Sequence, residues 1–247
     1  TRYWPWAVYA VLLLAHHGVR WSDDDGTPPP RPGQEHVRVA PDVEVAVEVK
    51  GTDGSPVVFV HGVPGDAREF DALLDAPLPF RAITVDLPGF GRSTPEVDDP
   101  SASRAAERVL AVLDTLDVDT AHLVGHGPGG NVVVEMLRAR PDVARSLVLL
   151  AATGVEEFEL LGKHEINEPL YGAQYAILWF LDVALPHFGL LERIPLDLSY
   201  ARYHLYADSR PARAVLEGFE RPTLIVHGRE DFLVPPEVAQ EHAGVVR

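Results

Sequence analysis

The sequence predicts an α/β protein in which helices cover both faces of a mostly parallel β-sheet. Short apolar runs typical of buried parallel strands occur at residues 56–60, 81–85, 121–124, 146–151 and 222–226. Helical patterns lie between or after them, at residues 101–116, at residues 131–140 and from Glu237 onward. Strands that alternate with helices in this order build a parallel sheet.

Two elements depart from this simple alternation. Residues 37–40 and 43–49 have apolar residues at every second position, so they predict two strands joined by a turn at Pro41 and Asp42. Residues 153–221 interrupt the rhythm and are rich in aromatic residues. Because a structureless segment of that length is rare inside a domain, we predict a small helical cap there. Most of its aromatic side chains should pack the cap onto the sheet, and the others should line an apolar pocket. The core then comprises residues 37–152 and 222–247.

Composition excludes several classes of function. The net charge is −16, from 21 Lys and Arg against 37 Asp and Glu. We therefore expect no nucleic-acid partner, since such binding relies on a basic surface. The absence of cysteine excludes disulfides and thiolate metal sites. The only adjacent histidines, His16 and His17, are interpreted as a helix-end feature, so neither a metal nor a cofactor is predicted.

The first part of the chain is strongly apolar. Residues 3–19 contain no Asp, Glu, Lys or Arg, and Trp4, Trp6 and Trp21 flank the run. This pattern favours a membrane helix within residues 1–21 and membrane association of the protein. A signal-peptide core and an amphipathic or buried helix remain open as alternatives. Residues 22–36 are rich in Asp and Pro and predict a linker.

Four short motifs follow predicted strands in a fixed order. They are His-Gly-Val-Pro-Gly at residues 61–65, Asp-Leu-Pro-Gly-Phe-Gly-Arg-Ser at 86–93, Gly-His-Gly-Pro-Gly at 125–129, and His-Gly-Arg-Glu-Asp at 227–231 with Val-Pro at 234–235. In this order and spacing the chain resembles the α/β-hydrolase superfamily, in its capped branch of esterases, epoxide hydrolases and dehalogenases. The resemblance covers residues 37–247. It implies a hydrolase of small apolar substrates with an ester or related bond.

The third motif has the frame of a nucleophile elbow, G-x-S-x-G, a tight strand-to-helix turn whose central side chain attacks the substrate. Gly127 stands at that central position, so the nucleophile position is vacant. The resemblance assigns the oxyanion donors to the backbone N–H groups of Val63 and residue 128, but Pro128 has no N–H. Both changes predict a defective elbow.

The resemblance also assigns the other members of a catalytic triad. Asp231 matches the triad acid, which orients a histidine base. That base follows one more strand in the family, so we expect the base histidine to be absent from this sequence. His242 lies within a predicted helix and is not assigned as the base. Ser93 lies in a loop that is structural in the family and is not assigned as a nucleophile.

Two functions remain open at this point. The first is a membrane-tethered hydrolase with a defective nucleophile elbow. The second is a pseudoenzyme, a non-catalytic module that binds a ligand or a partner on the same fold. In either function the expected ligand is a small apolar molecule.

Overall fold

The computed structural model describes residues 4–22, 31–51, 54–94, 99–154, 163–188, 190–191, 198–231 and 233–246. The strands within these ranges are β1 (Gln34–Ala40), β2 (Val43–Gly51), β3 (Pro56–Val60), β4 (Arg81–Val85), β5 (Ala121–His126), β6 (Ala144–Leu150) and β7 (Thr223–Val226). They form one sheet in the order β1-β2-β4-β3-β5-β6-β7.

The direction of the strands changes only at the first edge of this sheet. β1 pairs with β2, and β2 with β4, in antiparallel fashion, while the pairs from β4 through β7 are all parallel. After β3 the chain adds β4 on one side and later β5 on the other side. This reversal leaves a crevice at the carboxyl ends of β3 and β5, which is where open α/β sheets bind their ligands.

Helices cover both faces of the sheet and form the cap. They are α1 (Trp4–Ser22), α2 (Asp71–Leu74), α3 (Ala102–Thr115), α4 (Gly129–Ala139), α5 (His164–Ala184), α6 (Leu198–Tyr206), α7 (Ala212–Glu217) and α8 (Glu237–Val245), with a 3₁₀ helix at Ala67–Phe70 before α2. The helix α3 begins where the Ser101 side chain accepts a hydrogen bond from the backbone N–H of Arg104, the usual N-cap arrangement.

The hydrophobic core lies between the parallel strands and the helices α3 and α4. Strand residues such as Val58, Ile83 and Leu123 are fully buried, and Val109 and Val132 pack against them from α3 and α4. Both faces of these strands are covered, which explains their continuous apolar sequences. The predicted fold class, including the helical cap and the N-terminal helix, is confirmed.

Parts of the predicted domain boundaries lie outside the described residues. Residues 23–30 of the expected linker belong to this group, as do residues 155–162 and 192–197 of the expected cap. The described part of residues 153–221 contains the helices α5, α6 and α7.

The prediction of a membrane helix in residues 1–21, and with it the prediction of membrane association, is wrong. Among the described residues, no helix combines the length and the hydropathy that are needed to cross a bilayer. The strongly apolar stretch ends at residue 15 and is followed by His16 and His17, whereas a spanning helix needs about 20 apolar residues.

The helix α1 instead packs against the end of α5. The Tyr9 hydroxyl donates to the carbonyl oxygen of Ala184, and His17 Nε2 lies 3.1 Å from that of Val183. His16 is buried, and its Nδ1 accepts a hydrogen bond from the backbone N–H of Phe188 at 3.1 Å. These contacts join one side of α1 to the end of α5, while Trp4, Trp6 and Leu14 remain exposed.

Candidate active site

The elbow motif forms a tight turn between β5, which ends at His126, and α4, which begins at Gly129. Gly127 stands at the tip with a φ of +50°, a left-handed conformation that costs other residues about 1–2 kcal/mol. Its N–H donates to the carbonyl oxygen of Leu150 at 3.0 Å, and its own carbonyl oxygen accepts from the N–H groups of Gly130 and Thr153. Three backbone hydrogen bonds thus fix the turn at Gly127.

The two unusual residues of the motif lie where the resemblance places the nucleophile and an oxyanion donor. A Cβ built on Gly127 meets only the Cα of Gly62, at 3.7 Å, so the position has room for a side chain. Pro128 follows with a helical φ of −58° at the start of α4, a position that suits proline because its missing N–H has no partner within the helix. The backbone therefore has the shape of the elbow without the attacking side chain.

The loop after β3 borders the same crevice. His61 is fully buried, and its Nε2 accepts from the backbone N–H of Leu87 at 2.8 Å. Nδ1 therefore carries the ring proton and donates it to the carbonyl oxygen of Gly62, 2.6 Å away. His61 thus ties the end of β3 to the segment after β4 and has a structural role. Val63, the predicted oxyanion donor, is buried in the wall of the cavity described next.

A cavity of about 370 Å³ opens between the elbow and the cap helix α6. It brings together all four residues that the sequence assigns to the site, namely Gly127, Asp231, Val63 and Pro128. Apolar groups of Pro64, Leu233 and Val234 form part of the wall. The remaining polar side chains of the wall belong to Glu69, His126, Thr153, Tyr200 and His204. This mixture, mainly apolar with a few polar groups, is typical of small-molecule sites.

Asp231 is held by the turn after β7. Its Oδ1 accepts hydrogen bonds from the backbone N–H groups of Leu233 and Val234, each at 3.0 Å. Its Oδ2 lies 3.7 Å from Nε2 of His227, and that nitrogen in turn lies 2.8 Å from the carbonyl oxygen of Val234. The carboxylate is therefore fixed in the cavity wall, and its role as a triad acid remains a prediction.

A second polar pair in the cavity was missed by sequence reasoning. Nδ1 of His126 lies 2.6 Å from Oε2 of Glu69, which also accepts the backbone N–H of Gly62 at 3.0 Å. The hydrogen bond to Glu69 raises the pKa of His126, since it outweighs the opposite effect of burial. Burial alone would raise the pKa of Glu69, but the hydrogen bonds from His126 and Gly62 lower it. The pair therefore favours the ionised carboxylate and the protonated imidazole.

The other histidines near the site have different surroundings. His204 packs among the rings of Tyr171, Tyr200 and Tyr203, and burial lowers its pKa to about 4. His242 is buried in α8, where burial and the charge of His227 lower its pKa to about 4. His242 is not part of the described cavity wall, which agrees with leaving it unassigned.

The structure also places Ser93, which the sequence analysis did not assign as a nucleophile. The Ser93 hydroxyl is buried, donates to the carbonyl oxygen of Asp86 and accepts the N–H of Ala46, so it supports the loop. Within the described ranges, no group of three or more His, Asp or Glu side chains is arranged to hold a metal ion.

The comparison with protein families matches residues 55–196 to the alpha/beta hydrolase fold. This match covers more than half of the chain and includes the His61 loop and the elbow. The fold and the arrangement of the crevice define the same class of protein. The chain belongs to the α/β-hydrolase fold family.

Individual relatives extend over most of the chain. This chain is 38% identical over 217 residues to a 2-hydroxy-6-oxononadienedioate/2-hydroxy-6-oxononatrienedioate hydrolase of Paraburkholderia phymatum. The match covers 76% of this chain and 75% of that protein. The chain is 28% identical over 233 residues to a putative non-heme haloperoxidase of Mycobacterium phage D29, which covers 85% of this chain and 84% of that protein. Among solved structures, a hydrolase from Pseudomonas aeruginosa PA01 superposes with a TM-score of 0.65 and 23% identity, covering 88% of each chain.

Several relatives share only part of their length with this chain. The match to the dihydrolipoyllysine-residue acetyltransferase component of the acetoin cleaving system of Pseudomonas putida is 38% identical over 113 residues. It covers 44% of this chain and 30% of that protein, so the chain spans less than a third of that relative.

Proposed function

We propose that this protein is a hydrolase of small, mainly apolar molecules with an ester or related bond, and that it acts without an acyl-enzyme intermediate. The observation that carries the proposal is the position of Gly127. It lies at the tip of an intact elbow, inside the cavity, where a nucleophilic side chain would otherwise form the covalent intermediate.

The size and polarity of the cavity support the proposed substrate class. About 370 Å³ is within the usual range for small-molecule sites, toward its lower end. Val63, Pro64, Leu233 and Val234 favour an apolar body, while the polar groups beside Gly127 favour a single polar function such as a carbonyl. The names of the relatives, several of them hydrolases, support hydrolysis as the reaction type.

Magnitudes argue against the ordinary triad reaction. Loss of the nucleophile of a triad lowers kcat by about 10⁶, and loss of one oxyanion donor lowers it by about 10²–10³. Gly127 provides no nucleophile, and Pro128 provides no N–H to act as an oxyanion donor. Any turnover should therefore come from direct attack by water, at a rate well below that of an intact esterase.

The test is hydrolysis of p-nitrophenyl acetate and p-nitrophenyl butyrate, with intact-mass analysis of samples quenched during turnover. We expect slow turnover of the butyrate and no acyl adduct on the protein. A Gly127→Ser/Pro128→Met double variant restores the family residues at the elbow. An acyl adduct on the natural protein would contradict the proposal.

The same two residues favour a second candidate, a non-catalytic binding module on the hydrolase fold. It predicts that the butyrate ester and its non-hydrolysable analogue, butyl 4-nitrophenyl ether, bind equally well and that neither is converted. Turnover by the double variant alone would support this candidate, because it would show that the cavity accepts the ester and that the natural residues at positions 127 and 128 prevent its conversion.

A further inference from the structure

The arrangement of His126 beside the vacant elbow position has a chemical consequence of its own. His126 is the residue directly before Gly127, and its ring lines the cavity. The backbone of Gly62 lies close to both residues: a Cβ built there would be 3.2 Å from Nδ1 of His126, and a Cβ built on Gly127 would be 3.7 Å from the Cα of Gly62. The imidazole and the open position at Gly127 therefore border the same small space.

Glu69 determines which nitrogen of His126 is available. The distance of 2.6 Å between Oε2 and Nδ1 assigns the ring proton to Nδ1, because an ionised carboxylate can only accept. Glu69 is held in turn by the backbone N–H of Gly62 at 3.0 Å. When the ring is neutral, Nε2 therefore carries the lone pair, which is the arrangement of a carboxylate and a histidine base in a triad.

We infer that Glu69 and His126 form a general-base pair that activates water for direct attack on the substrate carbonyl. This inference rests on the proposed hydrolase function and names the groups that perform it. His126 is the catalytic base, and Glu69 is a positioning residue that acts through it.

The reaction balances without any further reactant. Nε2 of His126 takes a proton from water while the water oxygen forms a bond to the carbonyl carbon. The tetrahedral intermediate collapses by breaking the bond between that carbon and the ester oxygen, and the imidazolium returns its proton to the leaving alkoxide. The products are a carboxylic acid and an alcohol. The N–H of Val63, in the cavity wall, is the expected donor to the oxyanion.

The surroundings favour His126 over the other histidine of the described cavity wall. His204 is enclosed by tyrosine rings, and its low pKa of about 4 reflects the burial. A base with so low a pKa is a weak proton acceptor near neutral pH. His126 has a carboxylate partner and a ring that is 37% exposed, so it can reach a water molecule in the cavity.

The pH profile distinguishes a base from a merely structural histidine. The charged groups that face His126 are Glu69 and Asp231, and both raise its pKa above the ordinary 6.5. His61 lies behind Glu69 and lowers the pKa of that carboxylate. The neutral imidazole is the active form, so the rate should rise with pH through a pKa above 6.5. Removing Glu69 should move this limb to lower pH.

The experiment compares wild type, His126→Ala, Glu69→Gln and a matched control, His122→Asn, on p-nitrophenyl butyrate. His122 lies on the same strand and contacts the hydroxyl of Ser146 at 2.7 Å, outside the described cavity wall. We expect His126→Ala to lower kcat by about 10²–10⁴ with little change in KM, and His122→Asn to leave both unchanged. Added imidazole should restore part of the lost rate in His126→Ala. Glu69→Gln should lower kcat and shift the pH limb downward.

The measurements distinguish a failure of the hydrolase proposal from a failure of the general-base pair. If wild type hydrolyses the ester and His126→Ala, folded by circular dichroism, keeps its kcat within about threefold of His122→Asn, the general-base pair is wrong and the hydrolase proposal stands. If wild type binds the ester but does not convert it, the hydrolase proposal fails together with the pair. If Glu69→Gln lowers kcat with no movement of the pH limb, the positioning role of Glu69 is wrong.

Discussion

The hydroxyl of Tyr203 donates a hydrogen bond to the carbonyl oxygen of Pro128 at 3.1 Å, which joins the cap helix α6 directly to the elbow. Tyr203 is almost completely buried, and burial raises the pKa of its hydroxyl. A second, longer contact of 3.4 Å joins Asn131 of α4 to Ser209. The cap and the turn at Gly127 are thus held in a fixed relation by buried polar groups.

Replacing Tyr203 by Phe should destabilise the protein by about 0.5–1.5 kcal/mol, because the carbonyl oxygen of Pro128 loses one of its two donors and keeps the backbone N–H of Asn131. Urea denaturation measures the difference. Tyr206→Phe is the matched control, since Tyr206 lies on the same helix and is 47% exposed. Equal stability of the two variants would show that the bond between the cap and the elbow contributes little.

The ion pair between Glu69 and His126 should give a stability difference that depends on pH. The pKa of His126 is raised in the folded protein, so its contribution is complete below pH 6.5 and disappears as the pH rises through the raised pKa. The pKa of Glu69 is lowered, so its contribution is present above pH 4.5 and disappears as the pH falls through the lowered pKa.

The free energy of unfolding of wild type should therefore exceed that of Glu69→Gln most clearly between pH 4.5 and 6.5. Because 37% of the His126 side chain is exposed, solvent screening limits the difference to about 1 kcal/mol. Glu230→Gln, at an exposed neighbouring position, is the control and should show no such maximum. A difference that is constant across this range would rule out the ion pair as its cause.

Three glycine-to-alanine variants should rank in a defined order. A Cβ at Gly129 would lie 2.4 Å from the carbonyl oxygen of Val60, so Gly129→Ala should cost about 3 kcal/mol. Gly127→Ala meets no close atom, and its positive φ should cost about 1–2 kcal/mol. Gly244→Ala, in α8 with nothing within 4 Å, should gain up to about 1 kcal/mol. Thermal denaturation gives the order, and a Gly127→Ala variant less stable than Gly129→Ala would contradict the described elbow.

His204 should titrate in the folded protein with a midpoint near pH 4, below its ordinary 6.5, because burial disfavours its charged form. Titration of the histidine ring signals by NMR measures this midpoint. The unfolded chain binds this proton at higher pH than the folded one, so stability should fall as the pH drops from 6.5 toward 4. His204→Leu should lose that part of the pH dependence, and a midpoint close to 6.5 would show that the ring is solvated.

The sequence predicted the parallel strands well because burial on both faces leaves a continuous apolar signal. The predicted strands at 56–60 and 81–85 agree with β3 and β4 to the residue. The turn of the elbow was also predictable from the sequence, because its glycines are required where two backbone segments approach closely. Gly129 and Val60 make such an approach. By contrast, α1 was misinterpreted because its strongly apolar stretch ends at residue 15, too early for a helix that crosses a bilayer.

The pair of Glu69 and His126 could not be predicted from local patterns. The two residues are 57 positions apart, and Glu69 lies on a 3₁₀ helix of four residues that leaves no periodic signal. His126 was visible within the elbow motif, but its partner is determined by how the loop after β3 folds back over β5. The site therefore depends on tertiary contacts that no single motif encodes.

The backbone of Gly127 is fixed by hydrogen bonds to Leu150, Gly130 and Thr153, and none of these bonds involves a side chain at position 127. These bonds can therefore form with any residue at the tip, at the cost of about 1–2 kcal/mol that the positive φ imposes on residues other than glycine. A single codon change at this position alters the chemistry that the cavity presents while the surrounding frame stays as it is. The same backbone turn can therefore carry different side chains at position 127, and the reactivity of the cavity can change with that side chain during evolution or by design.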